Sequence, residues 1–197
     1  MEIDFIIHLY KNLNYLIVWI VLFLLYNILY EILGSVDFMA KAKVKTNAMR
    51  ILDSKKIEYN MISYDISDDN IDGISVATKI GRDVSEVYKT LVTQGTSKEL
   101  YVYVIPVNEN LDLKKAAKVA GEKKVEMIHV KDINKFTGYI RGGCSPIGMK
   151  KQYKTFINDT GKELENVIVS AGKIGYQIEI NPFDLEKVID CKFVDII

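Results

Sequence analysis

The sequence has few of the residues that build zinc sites, disulfide scaffolds or proline-rich linkers. Its 197 residues include only two cysteines, two histidines and three prolines. Cys144 and Cys191 show neither metal-ligand spacing nor a disulfide-rich pattern. With only His8 and His129 to join them, we expect no Cys/His zinc site. We therefore expect both thiols to be reduced, as in a cytosolic protein.

An excess of charge of one sign is also missing. The 26 lysines and arginines are balanced by 26 aspartates and glutamates, so the formal net charge is zero. A neutral chain has no whole-molecule field that attracts nucleic acid, so any RNA contact must come from a local basic patch. The hydrophobic fraction of 49% and the charged fraction of 26% are typical of a globular protein. The length suits one medium domain with an appendage.

Residues 1–38 differ in composition from the rest of the chain. No charged residue occurs between Lys11 and Glu31, and residues 15–26 form an unbroken apolar run. With residues 28–30 the run approaches the roughly 20 residues that span a bilayer. The pattern predicts an apolar N-terminal helix, separate from a domain that follows it.

Three interpretations of this helix stay open. It is a transmembrane anchor of about residues 12–30, a helix buried in the following domain, or a non-native extension with translation starting at Met39. In the first case the three lysines of residues 41–45 favour a membrane-anchored protein whose following domain lies in the cytoplasm. In every case we expect residues 39–197 to be the working domain, to lie in the cytoplasm, and to be active without the segment before them.

Helix and strand patterns alternate from residue 46 to the end. Thr46 can cap a first helix, and further helices are predicted for residues 75–80, 111–120 and 182–189. Strands are predicted for residues 57–66, 88–93, 100–107, 125–130, 154–158, 166–171 and 176–180. Several connections are too short for a parallel crossover. The pattern predicts a mixed α/β fold, a largely antiparallel sheet with surrounding helices.

Two glycine-containing segments are candidates for a site. Residues 138–148 read Gly-Tyr-Ile-Arg-Gly-Gly-Cys-Ser-Pro-Ile-Gly. The backbone of such a loop can approach a ligand closely and aim N–H groups at a carbonyl or a developing oxyanion. A tight structural turn is the alternative. Residues 169–175 read Val-Ser-Ala-Gly-Lys-Ile-Gly, and a hairpin turn is favoured there because the Walker spacing is absent.

Side chains that could act in catalysis are few. Lys89 lies inside the apolar run of residues 87–92, where it either faces solvent or is held in a cleft. Neither histidine has the context of a catalytic triad, and His129 is predicted to be an ordinary strand residue. Cys144 lies in the first glycine segment, but no base for it can be identified.

Taken together and in order, these segments resemble the YbaK/EbsC family of aminoacyl-tRNA editing deacylases. The resemblance covers about residues 45–197, and residues 1–38 have no counterpart in it. Its matching features are Thr46-x-Ala48 with Leu52, Val87-Tyr-Lys-Thr-Leu91, Leu111-Asp-Leu-Lys-Lys-x-Ala117, Lys123-Lys-Val-Glu-Met127, Gly138-Tyr-Ile-x-Gly-Gly-x-Ser-Pro-Ile-Gly148, Ser170-Ala-Gly-Lys173 and Asp190-x-Lys-Phe-Val-Asp195.

The resemblance implies an editing-domain fold related to the insertion domain of bacterial prolyl-tRNA synthetases. It implies a trans-editing deacylase that releases cysteine from mischarged tRNA(Pro), with Cys-tRNA(Cys) as a second candidate substrate. The implied partners are tRNA(Pro) charged with cysteine and, as a further candidate, prolyl-tRNA synthetase. The resemblance implies neither a metal nor an organic cofactor.

The resemblance also assigns site residues. The implied catalytic residues are Lys89, Gly142, Gly143 and Ser145. The implied substrate-binding residues are Tyr64, Cys144, Pro146, Gly148, Ser170, Gly172, Lys173 and Gln177. Gln177 stands where a close relative has aspartate, so no acidic role is expected there.

An aminoacyl ester is already activated, so its release needs no strong protein nucleophile. A cysteinyl group carries a thiol that can attack its own ester, and intramolecular attack is fast. We therefore expect the glycine loop to supply oxyanion donors and Lys89 to hold the ribose, phosphate or carbonyl. The alternatives are a non-catalytic module that binds tRNA or a synthetase, a deacylase for another small amino acid such as alanine, and a membrane-tethered regulatory protein.

Overall fold

The computed structural model describes residues 23–28 and 44–197. Thr46–Ile197 form one compact unit. Its strands are β1 (Asn60–Ser63), β2 (Tyr88–Gly95), β3 (Leu100–Pro106), β4 (Val125–Met127), β5 (Lys154–Asn158), β6 (Val167–Ser170), β7 (Tyr176–Ile180) and β8 (Cys191–Val194). Its helices are α1 (Asn47–Ser54), α2 (Gly73–Ile80), α3 (Leu113–Ala120), α4 (Ile133–Thr137) and α5 (Pro182–Ile189).

Helix ends follow the capping residues of the sequence. Thr46 caps α1 as predicted, because its hydroxyl accepts a hydrogen bond from the N–H of Met49 at 3.3 Å. Asp72 caps α2, which ends at the left-handed Gly81. Helix α5 begins at Pro182, whose fixed φ suits the first helical position. These local signals place the helices within a few residues of the predicted positions.

The strands form two sheets rather than the single sheet that the sequence predicted. One has the order β4-β2-β3-β5-β8 and the other the order β1-β7-β6. Four of the six pairings are antiparallel, namely β1–β7, β2–β3, β2–β4 and β6–β7, while β3–β5 and β5–β8 are parallel. The prediction of a mixed, largely antiparallel fold is therefore confirmed.

Strand β3 explains why a second sheet is needed. Its side chains alternate between the two faces of the larger sheet, and both faces are buried. Tyr101, Tyr103 and Ile105 pack against α3. Val102 and Val104 pack in a cluster that includes the smaller sheet, α1 and α5. A single parallel bridge, from Val87 to Ile168, joins the edges of the two sheets and brings β6 beside the start of β2.

Several predicted boundaries were wrong. The strand predicted for residues 125–130 ends at Met127, and the prediction that His129 is a strand residue is wrong because it precedes the 3-10 turn Val130–Asp132. Strand β1 is shorter than the predicted range 57–66. Helix α4 and strand β8 were not predicted, since both are too short to show a clear hydrophobic period.

The N-terminal predictions fall mostly outside the described residues. Residues 23–28 are helical and their side chains are exposed. This six-residue stretch does not support the prediction that residues 1–38 form one apolar helix. Among the described residues, no helix is both long enough and apolar enough to cross a bilayer. The predicted boundary at residue 39 also lies outside the described part of the chain.

Candidate functional site

A cavity of about 820 Å³ lies where the two sheets meet. The start of β2 forms its floor, and the segment before α2 forms one wall. The glycine loop of residues 138–148 and the ends of β6 and β7 form the rest. Of the residues predicted for the site, those that line the cavity are Lys89, Gly142, Cys144, Ser170 and Gln177. Residues far apart in the sequence therefore meet at one place.

Lys89 is held in the cavity and is not on a solvated face. It lies on β2 opposite Ile105 and is partly buried. Its Nζ donates a hydrogen bond to the carbonyl oxygen of Val107 at 3.0 Å. Burial lowers the pKa of Lys89, and the carboxylate of Glu109 partly opposes this shift. The ammonium group is thus incompletely solvated, which strengthens its interaction with a substrate oxygen.

Gly142 needs to be glycine for two reasons. Its φ is +81°, a left-handed conformation that side chains disfavour. A Cβ at this position would also lie 2.7 Å from Cδ1 of Ile71. At Gly143, a Cβ would lie 3.2 Å from the backbone nitrogen of Ile174. The two glycine-containing segments that stood out in the sequence therefore pack against each other.

Two loop amides are candidates for oxyanion donors. The N–H of Gly143 already donates to the carbonyl oxygen of Ile140 at 3.0 Å. The N–H groups of Gly142 and Cys144 have no hydrogen-bond acceptor among residues 23–28 and 44–197. Both residues line the cavity. Backbone N–H groups without a protein acceptor can stabilise negative charge that develops on a carbonyl oxygen.

The thiol of Cys144 is poorly suited to act as a nucleophile. Burial raises its pKa to about 11, and a hydrogen bond with Thr137 only partly opposes this shift. The thiolate is the reactive form, so at neutral pH this thiol is almost entirely in the unreactive protonated form.

The second half of the glycine loop lies away from the cavity. Ser145 is fully buried, and its Oγ accepts a hydrogen bond from the N–H of Ile147 at 3.2 Å. Pro146 and Gly148 line a small groove beside α1 instead, and the side-chain amide of Asn47 donates to the carbonyl oxygen of Gly148 at 3.1 Å. The predicted roles of Ser145, Pro146 and Gly148 stay predictions.

Three further predicted residues do not line the cavity. Tyr64 is buried, and its hydroxyl has no hydrogen-bond partner among the described residues. Gly172 has a φ of +87°, and a Cβ there would lie 2.6 Å from Cε1 of Tyr139. The ammonium of Lys173 lies 5.3 Å from the ring centre of Tyr176. Gly172 thus supports the loop that carries Tyr139.

Ser170 and Gln177 form a polar pair on neighbouring strands. They are direct partners in the β6–β7 register, and both line the cavity. The Oγ of Ser170 accepts a hydrogen bond from the N–H of Gly172 at 3.3 Å. Gln177 is only 6% exposed, so most of its side chain is shielded from bulk water. This strand position offers hydrogen bonds but no negative charge to a substrate.

Other cavity residues were missed at the sequence level. Thr90 lines the cavity, and its buried Oγ1 has no hydrogen-bond partner in the described part of the chain. It follows Lys89 directly in the matched motif, so the motif offered a signal. Arg141 also lines the cavity, from within the glycine loop.

The wall before α2 was also missed. Its sequence is a run of acidic residues, and nothing in such a run indicates that it lines a cavity. This segment, residues 65–72, is folded by its own side chains and by Lys79 of α2, whose Nζ donates to the carbonyl oxygens of Asp65 and Asn70. The carboxylates of Asp65 and Asp68 accept hydrogen bonds from the N–H groups of Ser67 and Asn70, each at 3.1 Å. A hydrogen bond from Lys79 lowers the pKa of Asp68 to about 2.

Residues 23–28 and 44–197 contain no group of three or more side chains able to hold a metal ion.

Comparisons with known proteins agree with this geometry. The family model described as the aminoacyl-tRNA editing domain matches residues 71–188. A protein of Enterococcus faecalis named as the Cys-tRNA(Pro)/Cys-tRNA(Cys) deacylase EbsC is 47% identical over 160 residues, which are 80% of this chain and 98% of that protein. A proline–tRNA ligase of Lactobacillus helveticus is 37% identical over 65 residues, or 33% of this chain and 11% of the ligase.

The fold has a solved counterpart as well. A crystal structure described as a trans-editing enzyme for prolyl-tRNA synthetase superposes with a TM-score of 0.66 at 18% identity, covering 78% of this chain and 98% of that one. This likeness concerns the fold alone. The family match and the E. faecalis relative confirm the resemblance found in the sequence, and the chain belongs to the aminoacyl-tRNA editing domain family.

Proposed function

We propose that this chain is a trans-editing deacylase that releases cysteine from mischarged tRNA(Pro), with Cys-tRNA(Cys) as a second substrate. The main support for this proposal is that Lys89 and the glycine loop line the same cavity. The support for cysteine is the name of the E. faecalis relative, which this chain matches over nearly that protein's whole length. Since charged tRNAs are the substrates, we place the activity in the cytoplasm.

The cavity offers the groups that ester cleavage requires. The N–H groups of Gly142 and Cys144 are available to the carbonyl oxygen of the ester as negative charge develops on it. Lys89 offers a positive charge from the floor of the same cavity. Ser170, Gln177 and Thr90 add polar atoms around the amino acid. Removal of a single oxyanion donor typically lowers the rate about 100-fold or more, so the two loop amides can contribute a large part of the rate acceleration.

The nucleophile in this proposal comes from the substrate. Because the Cys144 thiol is almost fully protonated at neutral pH, the thiol of the bound cysteinyl group is the better placed attacker. Its sulfur bonds to the ester carbon as the bond to the ribose oxygen breaks, and the thiol proton passes to that oxygen. The products are a cyclic thiolactone of cysteine and a tRNA with a free terminal hydroxyl. Attack by water is the competing route.

The deciding experiment uses the full chain and four charged tRNAs. Cys-, Ala- and Pro-tRNA(Pro) and Cys-tRNA(Cys) are incubated with the protein, and the loss of aminoacyl-tRNA is followed over time against buffer alone. We expect rapid loss of the cysteinyl esters and slow loss of Pro-tRNA(Pro). Preferred loss of the alanyl ester indicates an alanine editor. No acceleration of any ester, combined with tight tRNA binding, indicates a non-catalytic binding module.

A serine ester tests the substrate-thiol step separately. Ser-tRNA(Pro) differs from Cys-tRNA(Pro) by one atom and lacks the sulfur nucleophile. If the substrate thiol attacks, the serine ester is cleaved far more slowly although it fits the same cavity. Equal rates for both esters support attack by water and overturn the thiol step, while the deacylase function stands.

The link to prolyl-tRNA synthetase is a further part of the proposal. Its support is the similarity of part of this chain to a proline–tRNA ligase. We expect the deacylase to act on tRNA(Pro) mischarged by that synthetase. Addition of prolyl-tRNA synthetase to the assay, with Cys-tRNA(Pro) in limiting amounts, measures whether the synthetase helps or competes.

A further inference from the structure

We propose that Arg141 binds the phosphate that joins the last two nucleotides of the substrate. The inference rests on the proposed deacylase function. It identifies which part of the tRNA is bound at the exposed edge of the cavity. The terminal ribose carries the amino acid on one side and this phosphate on the other. A protein that holds the ester beside Lys89 must therefore accommodate the phosphate about one ribose away.

The cavity contains two cationic side chains, and their situations differ. Lys89 is partly buried on the floor, and its Nζ donates to the Val107 carbonyl oxygen. Arg141 is exposed and lines the same cavity. Its guanidinium group makes neither a hydrogen bond nor an ion pair with any residue in the described ranges 23–28 and 44–197. Arg141 is therefore the cation that is available to a ligand arriving from solvent.

The acidic wall of the cavity, which adjoins the glycine loop at Ile71, offers no site of its own for a phosphate. A helix N-terminus often binds anions, but Asp72 already caps α2 and accepts hydrogen bonds from the N–H groups of Ile74 and Ser75 at 3.2 and 3.1 Å. The carboxylate of Asp69 lies on the same wall. Two negative charges there repel a phosphate, so among the residues that line the cavity Arg141 is the exposed cationic group able to bind one.

The backbone around Arg141 is well fixed. Gly142 follows it in a left-handed conformation, so close to Ile71 that an added Cβ would lie 2.7 Å from Cδ1 of that residue. Tyr139 precedes it by two residues and is buried, with its hydroxyl donating to the Ile147 carbonyl oxygen at 2.6 Å. An arginine at a fixed position offers a planar set of donors that matches two phosphate oxygens at once. Arg141 is thus a positioning residue for the ester.

Two small esters isolate this contact. One is cysteine esterified to the ribose of adenosine, which has no phosphate, and the other is the same ester of 5′-AMP, which has one. We expect wild-type protein to cleave the AMP ester with a kcat/KM about tenfold higher, as a charge-assisted hydrogen bond implies. Arg141→Ala should lose this preference through KM, with kcat little changed. Arg141→Lys should retain part of it.

Arg50→Ala is the matched control, because Arg50 is an exposed arginine on α1 that does not line the cavity. It should behave like the wild type toward both esters. An unchanged preference in a folded Arg141→Ala protein, or an equal loss of preference in Arg50→Ala, overturns the proposal and leaves the deacylase function intact.

Failure of the proposed function gives a different pattern. If the wild type cleaves neither the small esters nor Cys-tRNA(Pro), the deacylase function fails, and the phosphate site is then tested by binding alone. Calorimetric titration with AMP and with adenosine should show tighter AMP binding that Arg141→Ala removes. Equal affinities for the two ligands overturn the phosphate site as well.

Discussion

The two halves of the glycine loop perform different tasks although one motif contains both. Arg141, Gly142 and Cys144 line the cavity, and the amides of the last two are without protein acceptors in the described chain. Ser145 is turned into the interior, and Gly148 is fixed against α1. The first half is thus positioned to contact a ligand, and the second half attaches the loop to the rest of the domain.

The difference shows that membership of a motif does not assign a role. All of residues 138–148 belong to one matched segment, yet only part of it reaches the cavity. Burial and hydrogen-bond partners separate the two groups, and the separation can be tested. Substitutions in the first half should change activity more than stability, whereas substitutions in the second half should do the reverse.

The largest effect is expected for Gly142→Ala. The new Cβ meets Cδ1 of Ile71 at 2.7 Å and the left-handed φ of +81° disfavours alanine, so we expect the loop to shift as well as the Ile71 side chain, which moves the loop amides away from the ester. We expect kcat/KM to fall about 100-fold, the scale of losing an oxyanion donor. Gly121→Ala is the control, because Gly121 has a similar φ of +78° but open space around its Cβ position. Equal activity losses in the two variants would contradict the assignment.

Replacement of Lys89 should have the next largest effect. Lys89→Ala removes the cation from the floor of the cavity, so we expect kcat/KM to fall at least about tenfold. Lys89→Met keeps most of the apolar stem and should lose as much activity while remaining as stable as the wild type. Lys118→Ala, on the exposed side of α3, is the control. Activity like that of the wild type in a folded Lys89→Met protein would remove Lys89 from the site.

Tyr139→Phe tests how the second half is attached, because the Tyr139 hydroxyl donates to a carbonyl oxygen of that half, and it should act mainly on stability. It removes the hydroxyl that donates to the Ile147 carbonyl oxygen, and leaves that buried acceptor unpaired. We expect the free energy of unfolding to fall by roughly 1–2 kcal/mol, measured by urea denaturation. The kcat/KM at 25 °C should change less than about threefold. A large loss of activity with unchanged stability would reverse the roles of the two halves.

The smallest effect is expected for Cys144→Ala, although Cys144 lines the cavity. Because the pKa of its thiol is about 11, we expect activity within about twofold of the wild type. Alkylation of Cys144 by iodoacetamide should be slow at pH 7 and should accelerate about tenfold per pH unit up to about pH 11. Fast alkylation at pH 7 together with loss of activity in a folded Cys144→Ala protein would show that the enzyme supplies the nucleophile.

Local parts of this structure could be predicted from the sequence with good precision. The ranges of β5 and β7 match the structure residue for residue. Apolar and polar residues alternate along β7, and β5 is a short run of strand-forming residues between the polar Lys154 and Asn158. Lys89 stood out as a charge within an apolar strand, and the family resemblance gave it a role.

Long-range features could not be predicted in this way. Nothing in the sequence shows that Gly143 packs on Ile174, that Ser145 is buried, or that the strands divide into two sheets. These facts depend on tertiary packing, whereas hydrophobic period and turn residues report only local conformation. Arg141 was missed for the same reason, since only the folded loop brings it to the cavity that Lys89 lines.

The cavity is built from parts that differ in how firmly the backbone is held. Its floor belongs to β2, which is paired with β3 along most of its length and with β4 at its far end. Its acidic wall, residues 65–72, belongs to no strand and is held by turns that its own carboxylates form and by Lys79, whose Nζ donates to the carbonyl oxygens of Asp65 and Asn70 at 2.9 and 2.8 Å. Amide hydrogen exchange should therefore be slow on the floor and fast in the wall. We therefore expect the wall, rather than the floor that carries Lys89, to be the side that moves when the end of a tRNA enters.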